Sequence, residues 1–489
     1  MKGMMALDVG TTAVKAAIVT ENCTLLGPSI MEYTLFTPSP EIVELDSRIY
    51  WSNTISAVRE LLSKTGFPPQ DIESITCTTQ GETLIPVDKN INPLSNAIVW
   101  LDSRANDEGK FIAAGFTSET FYAKTGIPEV NGYTPIAKLL WFKKNYREIY
   151  EKTCKFLLLE DFLIAKLTGV FVSSPSIMCS SGYFDINTFQ IWNEILTYCG
   201  IDPHKIPDII PCGSIVGPLE NEAGDILGLK AGTNVTSGAM DQTAASIGSG
   251  NIREGTIAET TGTAMAVTTT TNHPQTETWK PVCVYAHGIA EKYLNVLVIQ
   301  AAGIIYKWAR DCFCLDLKGY SDMDMLALQE PPGSRGVLLY PHFTGTQFPL
   351  TNNAIRGSFV GIGLDTSRGC FLRAIMESIA YSLRECIEFL GVLPDEIRSL
   401  GGGSKSSIWN QIKADVSGIR INTMNIEEAS LLGAAVLGGC AAGIFPNPEA
   451  ACAHLKTNNS FNPNEENKAL YDEMYKRYKQ LYPSLEALF

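Results

Sequence analysis

No apolar run in the sequence approaches the ~18 residues that a membrane-spanning helix needs. There is no G-x-x-x-x-G-K-[ST], and the G-x-G at 361–363 lacks the third glycine of a dinucleotide fingerprint, so P-loop and Rossmann readings are disfavoured. Histidine is scarce: five residues, none at metal-ligand spacing. The 13 cysteines include no C-x-x-C, and the C-x-C of Cys312 and Cys314 has no His or second pair nearby. A secreted disulfide framework is therefore excluded, and a reducing, cytoplasmic setting is expected. The Asn234–Thr236 sequon then reads as chance. Positive charge is in deficit, with 38 Lys and Arg against 52 Asp and Glu and a formal charge of −14. That argues against nucleic-acid and membrane-surface partners. It leaves room for an anionic ligand held locally by backbone N–H groups and a metal ion. No signal-peptide layout precedes the first strand pattern.

What is present is a chain of 489 residues, 45% hydrophobic and 18% charged, long enough for two to four domains with substantial cores. "LDVGTTAVKAAIV" (7–19) reads as two apolar strands around Gly10-Thr11-Thr12, either a plain hairpin turn or a loop built to hold a phosphate. A helix is expected from Asp46 to Lys64, capped by Asp46 and stopped at Gly66. "ESITCTT" and "NAIVW" read as buried strands, and 135–145 and 161–169 as helices. Strands mixed with helices of this length indicate α/β architecture. "ETTGTAMAV" (259–267) repeats the opening design after "GSGNIREG" (248–255), a stretch suited to a domain junction. Two related halves, 1–250 and 251–489, are expected. "SLGGGSKSSIWN" (399–410) is strand, triple glycine, then helix, a place for an anion or nucleotide; a strand–helix corner needing positive φ has the same sequence. "EEASLLGAAVLGGCAAGIF" (427–445) reads as a scaffold helix with small faces.

Two acids stand out. Asp241, in "TSGAMDQTAAS", falls at the start of a helix, where the dipole favours its charged form and a carboxylate can take a proton from a hydroxyl. The same position suits an ordinary N-cap. Asp8 interrupts an apolar strand, a costly placement unless the acid is paired or near a metal, and Mg²⁺ is bound through one or two such carboxylates.

These motifs, in this order, are similar to those of the FGGY carbohydrate kinases, relatives of xylulokinase and glycerol kinase within the actin-like ATPase superfamily. "YTPIAKLLWFKKN" (133–145) and "GSFVGIGLDTSRGCFLRAIMESIAY" (357–381) resemble the family's two signatures, the second departing from its pattern at Cys370. The resemblance implies two ribonuclease H-like domains with the active site in the cleft between them, and possible homodimers. It implies ATP, Mg²⁺ and a small sugar or polyol acceptor. Asp241 then corresponds to the catalytic base and Asp8 to the metal-organising acid, with Asp241 a second metal-facing carboxylate. Gly10, Thr11, Thr12 and Lys15 fall at one phosphate turn, Thr261, Gly262 and Thr263 at the facing one, and Gly401, Gly402, Gly403 and Ser404 at the adenosine end.

For the acceptor the resemblance is divided. Gln80, Glu82 and Thr83 fit the glycerol-kinase loop, but Gly81 stands where that loop has arginine. Trp100 and Tyr133 match glycerol contacts, Asp102 resembles a xylulokinase acid, and Gln242 follows the base. "GVLLYPHFTGTQFP" (336–349) looks xylulokinase-like. The absent arginine is expected to leave space for a ketopentose. Glycerol, a tetritol or another polyol is the alternative acceptor. A filament-forming actin-like ATPase is a different class of function, told apart by whether ADP release depends on sugar.

Overall fold

Met4, Met5, Ala6, Leu7 and Val9 have no exposed surface, as a continuous apolar run covered on both faces requires. They lie in the strand Gly3–Val9, inside a six-stranded sheet. The order across that sheet is Ile215–Pro218, Asn234–Met240, Ile72–Thr79, Gly3–Val9, Ala13–Thr20, Leu25–Glu32. The three inner pairings from Asn234–Met240 to Ala13–Thr20 run parallel, parallel, then antiparallel. This computed structural model describes residues 1–346, 348–349 and 351–489; Gln347, within the stretch 336–349, lies outside the described residues.

The chain forms two compact units. The first comprises Met1–Ile252, Thr271–Leu294 and Glu428–Leu455; the second comprises Arg253–Thr270, Asn295–Glu427 and Lys456–Phe489. In the second, the strand order runs Tyr293–Ile299, Met265–Thr271, Thr256–Thr261, Glu396–Leu400, Ile421–Met424, Thr457–Phe461. Its hairpin, two parallel neighbours and antiparallel edge repeat the plan of the first sheet. The echo between residues 7–19 and 259–267 is therefore a repeat of topology.

Local chemistry sets the elements that matter. The helix Ser47–Thr65 starts on Asp46, whose carboxylate accepts from the Arg48 N–H at 3.0 Å, and ends on Gly66 at φ 62°. The helix Ala429–Ala441 packs on the first sheet and on the helix Asp241–Gly248. Its small residues make this possible. A Cβ on Gly433 would stand 1.8 Å from the Ala244 carbonyl oxygen, and one on Gly248 1.9 Å from that of Ala429. Cys370, the departure in the second signature, is buried against Val337, Ala374 and Phe359, and its Sγ accepts from the Ser367 hydroxyl at 3.5 Å. No helix among the described residues is long and apolar enough to cross a membrane.

Candidate active site

The Gly10–Thr12 turn joins two antiparallel strands, with the Gly10 N–H donating to the Ala13 carbonyl at 3.1 Å, so its geometry is that of a hairpin. The Tyr33 hydroxyl donates to the Gly10 carbonyl and the Trp100 indole N–H to the Thr11 hydroxyl at 2.9 Å. Thr12 is exposed. Lys15, across the hairpin from Asp8, is held at 2.6 Å by Glu428. Asp8 is the last residue but one of the buried strand Gly3–Val9 and accepts from the Ser430 hydroxyl at 2.6 Å. Burial raises its pKa, opposed by the Ser430 hydrogen bond. Ser430 and Glu428 escaped the sequence reading because they enter from the helix taken as scaffold, more than 400 residues away.

Asp241 is the first helical residue, while Met240 occupies the cap position, so the carboxylate is not an ordinary N-cap. It accepts from the Gln242 N–H at 2.6 Å. Burial pushes its pKa up to about 7, helped first by the charge of Asp8 and then by that of Glu82. Three carboxylates therefore share one electrostatic environment. Glu82 has the left-handed backbone angle φ 54°, which is strained for a non-glycine residue. Two contacts hold it there: its N–H donates to Ser180 Oγ at 3.2 Å, and the buried Lys138 ammonium donates to its carbonyl at 3.0 Å and to that of Val99 at 2.9 Å. Burial raises the Glu82 pKa and lowers that of Lys138.

The remaining acceptor candidates divide. Gln80 donates to the Tyr50 hydroxyl at 3.2 Å while its Oε1 is buried with no hydrogen-bond partner among the described residues. Trp100 and Tyr133 are 37% and 46% exposed, leaving both rings free to meet a ligand, and Gln242 is also exposed. Asp102 is different. It is fully buried, and its oxygens accept from the Val43 N–H at 2.6 Å and from Arg104 at 2.6–3.0 Å. Its role in this structure is to anchor Arg104, and no lone pair is left facing a sugar. A Cβ on Gly81 would lie 3.1 Å from Met240 Sδ and from Ser180, so a side chain could start there only if those neighbours gave way.

In the second unit, Thr261–Thr263, the start of the helix Gly303–Phe313, the helix Tyr320–Leu328 and the stretch Gly402–Trp409 enclose a cavity of about 610 Å³. Such a volume suits a nucleotide-sized ligand. Tyr306 and Tyr320 stack with centroids 5.8 Å apart, forming an aromatic wall. The Tyr306 hydroxyl donates to Asp324 at 2.9 Å. The glycines allow backbone segments to converge: a Cβ on Gly303 would be 2.3 Å from the Gly262 carbonyl oxygen, and one on Gly401 2.7 Å from that of Thr261. Gly402 and Gly403 line the cavity. Gly401, at φ 77°, and Ser404, whose hydroxyl closes onto the Gly401 carbonyl at 2.7 Å, shape the loop behind it. Gly262 and Thr263 are exposed, whereas Thr261 is buried with its hydroxyl bonded to Glu259. Tyr306, Tyr320 and Asp324 carry no motif that marks them in the sequence, whereas Trp409 lies within the glycine-rich stretch 399–410. Glu259 did carry one, an acid in a buried strand, the same signal that singled out Asp8.

Residues 3–248 match the N-terminal domain of the FGGY family of carbohydrate kinases, and residues 256–442 match its C-terminal domain. The chain is 28% identical over 493 residues to the xylulose kinase of Staphylococcus epidermidis, covering 99% of this chain and 97% of that protein. It is 26% identical over 494 residues to the gluconokinase of Bacillus subtilis, covering 98% and 94%. The solved structure of xylulose kinase from Rhodospirillum rubrum superposes with a TM-score of 0.91 at 24% identity, covering 100% and 99% of the two chains. The chain belongs to the FGGY family of carbohydrate kinases. It has that family's two-domain α/β fold of ribonuclease H-like, actin-like type, and it is an ATP-dependent sugar kinase.

Proposed function

We propose that the protein transfers the γ-phosphate of ATP to a hydroxyl of a neutral ketopentose such as xylulose. The first unit, which takes Thr271–Leu294 and Glu428–Leu455 from the expected second half, binds the acceptor, and the second unit holds the nucleotide in the cavity beside Tyr306 and Gly402. The observation that carries the reading is the position of Asp241, the first residue of a helix, where burial and the charges of Asp8 and Glu82 favour its taking up a proton. A carboxylate so tuned can accept the proton of an attacking hydroxyl. The exposed Gly262 and Thr263, on the cavity wall of the second unit, are proposed to face the phosphates of the nucleotide. The kinase works where ATP is made and kept, which places it in the cytoplasm.

Asp8 and Asp241 fit Mg²⁺. Their oxygens are hard donors, and two carboxylates suffice when phosphates and water complete the shell. Among the described residues no group of three His, Cys, Asp or Glu could hold a metal, so a self-contained protein cage is not available. When bound, the ion offsets phosphate charge that this acidic protein cannot.

Charge supports a neutral acceptor. Lys15 is engaged by Glu428, Arg104 by Asp102 and Glu44, and Lys138 by two carbonyls. An aldonate would bring a carboxylate toward Glu82 and Asp241 while Lys15, Arg104 and Lys138 are already engaged, whereas adjacent sugar hydroxyls can donate to both acids. The glycerol-kinase-like Gln80, Glu82, Trp100 and Tyr133 make a shorter polyol the second reading.

ADP release with xylulose, ribulose, erythritol, glycerol and gluconate tests the proposal. A ketopentose is expected to exceed the polyols in kcat/KM by about tenfold or more, with gluconate inert. A sugar-independent rate would instead favour an ATPase whose turnover drives shape change. Asp241→Asn is expected to lower kcat by about 10²–10⁴-fold while ATP still binds. Near-normal turnover in that variant removes Asp241 as the base.

A further inference from the structure

Behind the Thr261–Thr263 turn lies an ion pair that the reaction does not use. Glu259, in the strand Thr256–Thr261, and Lys413, in the helix Ser407–Ser417, meet at 2.9 Å with neither side chain exposed. Lys413 Nζ also donates to Thr261 Oγ1 at 3.1 Å, and the Thr261 hydroxyl donates to Glu259 Oε1. The Ser399 hydroxyl donates to Glu259 Oε2 at 2.7 Å and lies 3.2 Å from Asn410 Oδ1. The Asn410 amide in turn donates to the carbonyls of Ser404 at 2.8 Å and Ser406 at 2.9 Å. Hydrogen bonds thus tie the ion pair to the turn, and Asn410, packed against Ser399, is tied to the glycine loop, two walls of the same cavity. The two walls also touch directly, because a Cβ on Gly403 would stand 2.7 Å from that of Thr261.

Stability alone gives no reason for this arrangement. Burying two charges costs desolvation free energy, and apolar residues of the same volume often serve a fold as well or better. What a fully satisfied network supplies is a unique geometry. We propose that Lys413 and Glu259 are positioning residues for nucleotide binding: they fix the Thr261–Thr263 turn against the Gly401–Ser404 loop so that the exposed Gly262 and Thr263 face the phosphates of ATP. Neither touches the nucleotide. The inference rests on the reading that this cavity binds ATP.

The test uses the full-length protein and three measurements: melting temperature, ATP affinity by calorimetry without sugar, and KM for each substrate. Lys413→Met alone leaves Glu259 buried without its counter-ion and is expected to melt well below wild type. The double variant Glu259→Leu/Lys413→Met removes both charges, and its melting temperature is expected to recover. Its ATP affinity is expected to stay about tenfold or more below wild type, the scale of effect that misplacing a binding group produces, with KM for the sugar unchanged. A double variant with wild-type stability and wild-type ATP affinity overturns the positioning role. Thr261→Val keeps the ion pair and the volume but removes the hydroxyl linking it to the turn. It is expected to weaken ATP binding at near-wild-type stability, and unchanged affinity there counts against the proposal even if the double variant does not fold. A wild-type protein that binds no ATP overturns the underlying reading of the cavity.

Discussion

Gly81 is packed between Met240 and Ser180, and Met240 is the residue before Asp241. Gly81→Ala forces a methyl into a contact of 3.1 Å on both sides. Overpacking of this kind costs about 1–3 kcal/mol. The expected result is a lower melting temperature together with a fall in kcat, because the strain falls on the segment that places the carboxylate. A variant that loses stability but keeps kcat would show that Met240 yields without moving Asp241. At this scale the sequence is a good guide to residues that violate a local rule. Asp8 in an apolar strand and Asp241 at a helix start both stand out. It is a poor guide to partners. Whether Lys15 is free for phosphate depends on Glu428, and whether Asp102 is free for sugar depends on Arg104 and the Val43 N–H. Nothing in the local pattern at either position distinguishes an engaged group from a free one.

Helices and strands were more legible. The cap at Asp46, the stop at Gly66 and the helix Pro135–Asn145 follow from local chemistry. The small-residue helix Ala429–Ala441 was readable as a close-packing element, though not its neighbours. Gly433→Ala would drive a Cβ into the Ala244 carbonyl, where only backbone can move. It is expected to separate the two helices, lower the melting temperature and reduce activity through Asp241 on the displaced helix. A wild-type melting curve would contradict the contact. A second prediction at this scale concerns the start of the helix Leu159–Thr168. Burial raises the Glu160 pKa from 4.5 to about 8, with the neighbouring Asp161 charge adding and the Gly238 N–H and Ser174 opposing. The folded state keeps a proton that the unfolded chain releases, so this group's contribution to stability falls as pH rises through that interval and is flat above it. Glu160→Gln can still accept from Gly238 and donate to Ser174. Its melting temperature is expected to match wild type near pH 5 and exceed it near pH 9, by thermal melts across that range.

For the molecule as a whole, the chain passes between the two units five times, after Ile252, Thr270, Leu294, Glu427 and Leu455. The repeated strand order was foreshadowed by one short echo. The interleaving was not, because segment exchange leaves no compositional mark: residues 428–455 look like any other apolar helix and loop. A fragment of residues 1–252 would lack the helix that covers the first sheet and the Ser430 hydroxyl that meets Asp8. It is expected to give a broad, non-cooperative melt and to regain a sharp one when residues 253–489 are co-expressed. A cooperative transition in the isolated fragment would contradict this dependence.

The Asp8–Ser430 contact also sets a clock. Synthesis adds roughly 5–20 residues per second, so Ser430 leaves the ribosome about 20–80 seconds after Asp8. For most of that time the strands Gly3–Val9 and Ile72–Thr79 exist without their covering helix, an apolar sheet face open to the cell. The unit that comes first in the sequence is among the last parts of the protein to be finished.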